Sequence, residues 1–149
     1  MKIKIPFLSW TEKADLEVPI PDETEERFRL RAAVEISIKG GASLDRANLY
    51  GANLYDANLT GAYLHGAIMP DGRTYEQWQA DPLAGLCAEP EARNRAIAAW
   101  GAHTWQDCPL TMGMGIHGPH EAPAEKRLLV ATFVALFDGG QLPRPEVTP

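Results

Sequence analysis

The sequence predicts an α+β protein organised around a short solenoid, and three observations carry that prediction. Residues 42 to 71 divide into six blocks of five, an alternating apolar pattern typical of paired strands precedes them, and helical patterning fills much of the chain after them. The blocks begin at Ala42, Ala47, Ala52, Ala57, Ala62 and Ala67, and their third places hold Leu44, Leu49, Leu54, Leu59, Leu64 and Met69. A period of five would scatter these positions over several faces of either a helix or a strand. A chain that turns a corner in every block instead keeps one small and one large apolar residue on a common axis, and each turn buries its core by stacking on the next.

With Ala-Asn-Leu at the head of the blocks starting at 47, 52 and 57, the segment resembles the pentapeptide-repeat proteins, whose blocks read Ala-(Asp/Asn)-Leu-x-x. The resemblance implies a right-handed, four-sided β-helix with one block per side, so that Leu44 lies under Leu64, Leu49 under Met69 and Asp45 under His65. The fold class is thus a β-hairpin and helix (1–41) capping a short right-handed pentapeptide-repeat β-helix (42–71), followed by a small helical C-terminal module with a Pro-rich tail (72–149). One and a half coils cannot stand alone: the rest of the chain must cap the coil or extend it, or a homodimer must cover its open end.

Residues 2–8 and 16–20 carry the strand pattern, with Ile3, Ile5 and Phe7, then Leu16, Val18 and Ile20, around a polar turn. Pro6 and Pro19 mark short edge strands, and Trp10 is expected to pack. Asp22 and Glu25 have the spacing of a capping box opening a helix that ends at Lys39 and Gly40, with Phe28, Ala32 and Ile36 in one stripe, widened by Leu30, Ala33, Val34 and Ile38. That helix is expected to roof the first coil. Thr74 and Gln77 start a short helix, Asp81-Pro82 a turn, and Pro90 a helix burying Ala92, Ala96, Ile97 and Trp100 and ending at Gly101. Asp107 or Cys108 is placed to cap a helix running to about Met114. The strongest helical pattern, Ala124 to Phe137, is apolar most of the way round and stops at Gly139-Gly140; Pro143, Pro145 and Pro149 suggest a frayed tail.

Composition is that of an ordinary globular protein, 45% hydrophobic and 23% charged, with no membrane-length or signal-like apolar run, and the expectation is a soluble protein of the bacterial cytoplasm. Net charge is −6. From Asp45 to Glu121 the acids Asp45, Asp56, Asp71, Glu76, Asp81, Glu89, Glu91, Asp107 and Glu121 face only Arg46, Arg73, Arg93 and Arg95. This disfavours direct binding of nucleic acid, whose phosphates recruit Lys and Arg.

Cys87, His103, Cys108, His117 and His120 invite a metal, yet their spacing matches no familiar zinc finger and no metal is assigned. Cys108 before Pro109, with His103 nearby in sequence, suits a thiol nucleophile, but no oxyanion site or orienting residue accompanies it. The glycines around Met112 lack the lysine and the strand-to-helix context of a phosphate loop. The sequence therefore leads us to expect no cofactor, no catalytic residue and no enzymatic activity.

The resemblance implies more, since many pentapeptide-repeat proteins mimic duplex DNA with acidic ladders. In this chain Asn48, Asn53 and Asn58 stand where the family often has Asp, so the acidic surface is expected from Asp45, Asp56, Asp71, Glu76, Asp81, Glu89 and Glu91 together. The layout also looks like small phage and prophage proteins, among which are anti-CRISPR proteins. The expected function is that of a non-enzymatic, phage-type inhibitor binding a bacterial nucleic-acid-binding complex, a CRISPR effector or gyrase, through this DNA-mimicking surface, most sharply an anti-CRISPR blocking target DNA binding; the alternatives are gyrase protection and a structural module without inhibitory activity. Tyr50 and Tyr55 occupy corners as either contact residues or spacers.

Overall fold

In the computed structural model, residues 1–87 and 89–147 are described, and they begin with a two-stranded antiparallel hairpin. Strand β1 (Lys2–Ile5) pairs with β2 (Leu16–Pro19), setting Lys2 opposite Pro19 and Ile5 opposite Leu16. Alternation buries Ile5 and Val18. The hairpin strand stops at Ile5, short of the expected residue 8, because the next residues pair elsewhere. The Pro6 carbonyl accepts the Asn48 N–H at 2.7 Å and the Leu8 N–H donates to the Arg46 carbonyl at 3.0 Å, so residues 6–8 run antiparallel along the first edge of the repeat.

Helix α1 (Arg29–Lys39) follows a single 3-10 turn at Glu26–Phe28. The capping box expected from Asp22 and Glu25 does not form. The Asp22 carboxylate pairs with the Met1 ammonium, whose hydrogen bond and charge hold its pKa below the usual value, and Glu25 pairs with Arg27 at 2.9 Å. A charged partner within reach outcompetes a backbone amide. The buried face of α1 is Ala33, Val34 and Ser37, with Ile36 left 40% exposed, so the Phe28–Ala32–Ile36 stripe is not the inward one. The helix ends as Gly41 takes φ +78°, the Ala42 N–H donating to the Ser37 carbonyl and the Gly41 N–H to the Ile38 carbonyl.

From Leu44 to Ala67 each block is a turn. The N–H of the Ala heading a block donates to the carbonyl of the residue three before it: Ala47 to Leu44, Ala52 to Leu49, Ala57 to Leu54, Ala62 to Leu59 and Ala67 to Leu64. The residue just before each Ala has positive φ, namely Arg46, Gly51, Asp56, Gly61 and Gly66. A left-handed residue only at the third place is the type II turn, and it explains why glycine recurs there. Leu44, Leu49, Leu54, Leu59 and Met69 are fully buried and Leu64 nearly so.

The chain returns beside itself after twenty residues. Leu44 donates to the Tyr63 carbonyl, Arg46 to His65, Leu49 to Ile68 and Gly51 to Pro70, while the Ile68 N–H donates back to Ala47. The sides expected to be sheets are not extended strands. Among the described residues the sole bridge between coils is the parallel pair Asn48 and Ile68, because corners five residues apart leave room for only a few hydrogen bonds per side.

The remainder is helical: α2 (Tyr75–Ala80), α3 (Pro90–Ala98), α4 (Pro109–Met114) and α5 (Arg127–Asp138). The capping box at Thr74 forms in both directions, with Thr74 Oγ1 accepting from the Gln77 N–H and Gln77 Oε1 from the Thr74 N–H. Helix α3 stops at Ala98, before Gly101, and Cys108 precedes α4 without a side-chain capping bond. In α4, Gly113 is required by space: a Cβ there would lie 2.6 Å from Cys87 Sγ and 2.9 Å from Ala96 Cβ. Val130 through Phe137 of α5 are all buried, and Phe137 stacks on His103 at 4.4 Å and meets Trp100 edge-on at 5.2 Å. The segment after α5 is anchored as far as Arg144: Leu142 is buried and Arg144 Nε donates to the Ile97 carbonyl at 3.2 Å. Pro149 lies outside the described residues. No helix among the described residues is long and apolar enough to cross a membrane.

Candidate functional site

The surface a short coil can offer depends on which of its backbone edges remain open, and in this chain both are extensively closed. On the first edge, residues 6–8 pair along Arg46 to Asn48, where the first two blocks meet, and α1 covers the third and fourth blocks. Arg31 Nη1 donates to the Tyr55 carbonyl at 2.9 Å, and the Glu35 carboxylate accepts the Asn58 N–H at 2.8 Å. On the opposite edge, the Tyr75 N–H donates to the Ala67 carbonyl, and Glu76 Oε1 accepts the Gly66 N–H at 2.7 Å. Past the last block, Gln141 Nε2 donates to the Leu59 carbonyl at 2.9 Å, and Gly139 lies so close to Leu59 that a Cβ on it would be 3.1 Å away. Side chains and helices thus supply what a further coil would have supplied.

Side chains on the turns and between them are left facing outward. Tyr50 is 70% exposed and Tyr63 65%, whereas Tyr55 packs against the core. Trp10, expected to pack, is 68% exposed and carries the Arg46 guanidinium over its ring at 5.4 Å. Tyr63 was not singled out from the sequence. Its signal was a large aromatic in the second place of a block, where neighbouring blocks carry Ser43, Asn48, Asn53 and Asn58. Those polar places act locally, on their own turns. The side-chain oxygens of Asn48, Asn53 and Asn58 accept the N–H two residues on, in Tyr50, Tyr55 and Thr60.

The seven acids do not form one surface. Asp71 is turned inward, its side chain 11% exposed, accepting from Arg73 Nε at 2.6 Å and Trp78 Nε1 at 2.8 Å. Glu76 is committed to the coil edge and to His65 Nδ1 at 2.9 Å. Asp81 pairs with Arg93 at 2.9 Å, and Asp45 accepts the His65 N–H at 3.1 Å. Asp56, Glu89 and Glu91 are exposed, with no ion pair among the described residues. The first four were recruited by neighbours that composition does not reveal.

The cysteines and histidines are dispersed. Cys87 is buried under α4, and burial pushes its thiol pKa up, away from the thiolate. Cys108 and His103 line one small recess with Asp138, which pairs with His103 Nδ1 at 3.1 Å, while the Cys108 Sγ contact is with Thr111 Oγ1 at 3.5 Å. His117 and Glu121 lie together, and the His117 N–H holds the Glu121 pKa below the usual range. Among the described residues no three ligating groups gather around one point.

Neither a curated protein nor a solved structure matches this chain. One family model does match, described as pentapeptide repeats (8 copies), over residues 40–69. These residues coincide with the coiled segment and its periodic left-handed corners. The chain therefore carries a pentapeptide-repeat segment, of a kind typical of protein-interaction modules.

Proposed function

We propose that this protein is a non-enzymatic protein-binding module, in which a truncated right-handed β-helix presents its outward-facing tyrosines to a partner protein. The observation that supports this best is the placement of Tyr50 and Tyr63, 70% and 65% exposed, on a coil whose backbone edges are occupied by the chain itself. Tyrosine brings large contact area at little entropic cost, and it is a frequent anchor of interfaces. A photocrosslinking residue placed at Tyr50 or Tyr63 should capture a defined partner from bacterial lysate, while one placed at exposed Lys2 should not. Equal capture from all three positions would remove the tyrosine surface from the proposal.

A second, sharper reading is an inhibitor that binds a bacterial nucleic-acid-binding complex through a DNA-like surface, as an anti-CRISPR or a gyrase-binding protein of phage origin would. The net charge of −6 and the exposed Asp56, Glu89 and Glu91 favour it. Mimicry of this kind weakens steeply with salt, since exposed charges are screened beyond roughly 8 Å at physiological ionic strength. Charge reversal at Asp56, Glu89 and Glu91 should abolish binding to a CRISPR effector or gyrase if this reading holds. Binding that survives both the reversal and high salt points to Tyr50 and Tyr63 alone.

A further inference from the structure

A cleft of about 440 Å³ opens between the third block of the repeat and α5. Ligand pockets run from roughly 300 to 1,000 Å³, so its size suits a small organic molecule. Leu128 and Ala131 of α5 and Pro119 give it apolar walls, and Tyr55, His120 and Arg127 give it polar groups. No Asp or Glu lines it, in a chain whose net charge is −6. Glu121, outside the walls, stands 4.0 Å from His120 Nε2.

The cationic group lies against two backbone carbonyls. Arg127 Nε donates to the Ala122 carbonyl at 3.3 Å and Nη2 to the His120 carbonyl at 3.4 Å, while Nη1 has no protein partner among the described residues. The His120 imidazole, 78% exposed, lies over Gly118, where a Cβ would come within 2.7 Å of the ring. Leu128, 37% exposed, is the large apolar side chain of α5 left uncovered, although the eight residues from Val130 to Phe137 are buried. A guanidinium beside uncovered apolar surface, with no carboxylate in the walls, is complementary to an anionic head on an apolar body.

We propose that this cleft binds a small organic acid, its apolar body against Leu128, Ala131 and Pro119 and its anionic head on Arg127 beside His120. The site is separate from the exposed Tyr50 and Tyr63, and its occupancy does not depend on a protein partner.

The test uses two fluorescent probes sharing one ring system: anilinonaphthalene sulfonate, which is anionic, and phenylnaphthylamine, which is neutral. The full chain should bind the sulfonate more tightly than the amine. Arg127→Gln should weaken the sulfonate about tenfold, the loss of one charge-assisted contact, and leave the amine within about twofold. Leu128→Glu, at an exposed position and so compatible with folding, should weaken both. Circular dichroism establishes that each variant is folded, and Leu128→Glu decides the matter if Arg127→Gln is not. Sulfonate binding unmoved in the folded variants, or a neutral probe bound by the parent as tightly as the anionic one, would overturn the proposal.

Discussion

Gln141 closes the coil at Leu59: its Nε2 donates to the Leu59 carbonyl at 2.9 Å across 82 positions of sequence. The same amide reaches the Ala62 carbonyl at 3.3 Å, and its Oε1 accepts the Tyr75 hydroxyl at 2.6 Å. One side chain therefore joins the repeat, α2 and the segment after α5. Gln141→Leu leaves these groups without their partner and should lower unfolding free energy by about 1–3 kcal/mol. Urea denaturation checks this, with the exposed Gln106→Leu as the comparison expected to change little.

Asp71 is a structural acid. Asp71→Ala strips the partner from the half-buried Arg73 and the acceptor from the fully buried Trp78, and should cost about 3–5 kcal/mol. Asp56→Asn, at an exposed corner with φ +61° that Asn tolerates as Asp does, should cost under about 1 kcal/mol. Thermal melts of the two variants should therefore separate clearly. Similar melting points would show that the Asp71 pairing contributes little.

The left-handed corners predict a cost unrelated to contacts. Gly61 has φ +74° with nothing within 4 Å of the place a Cβ would take, so Gly61→Ala should destabilise by about 1–2 kcal/mol through backbone strain alone. Gly61→Asn should recover part of that loss, because Asn tolerates the left-handed region. Gly113→Ala fails for another reason, the 2.6 Å approach to Cys87 Sγ, and Asn there should be worse than Ala.

Tyr75 gives a pH dependence. Burial raises its pKa above the ordinary phenol value of 10.0. In the unfolded chain the phenol ionises first, so the unfolded state binds fewer protons as pH passes about 10 and stability falls there with rising pH. Urea titrations from about pH 8 upward should show a steeper alkaline loss in the parent than in Tyr75→Phe. Parallel curves would mean that the hydroxyl titrates alike in both states.

The coil was legible in the sequence because its physical cause is local and repeated. Each Leu and Ala occupies one place in a five-residue turn, and the glycines at 51, 61 and 66 mark the left-handed places directly. Helix α5 and its Gly139-Gly140 stop were readable on the same grounds, a long apolar pattern with a punctuated end. The features that were not legible depend on distant partners. Asp22 looks like a helix cap until the Met1 ammonium is placed beside it, and Asp71 and Glu76 look like surface acids until Trp78 and the Gly66 N–H are brought within reach. Ile36 fits an apolar stripe in isolation, but the face of α1 that turns inward carries Ala33, Val34 and Ser37, small enough for a close approach.

The closing contacts also restrict how such a chain can grow. Glu35, Glu76 and Gln141 each meet one particular side of the coil, so they read its angular phase as well as its end. Inserting five residues after Asp71 would rotate every later element by one side and detach them together. Inserting twenty would lift α2 and α5 by one layer and return each to a matching side. Length in this protein is quantised in whole turns, and the step permitted by its ends is four times the repeat visible in its sequence.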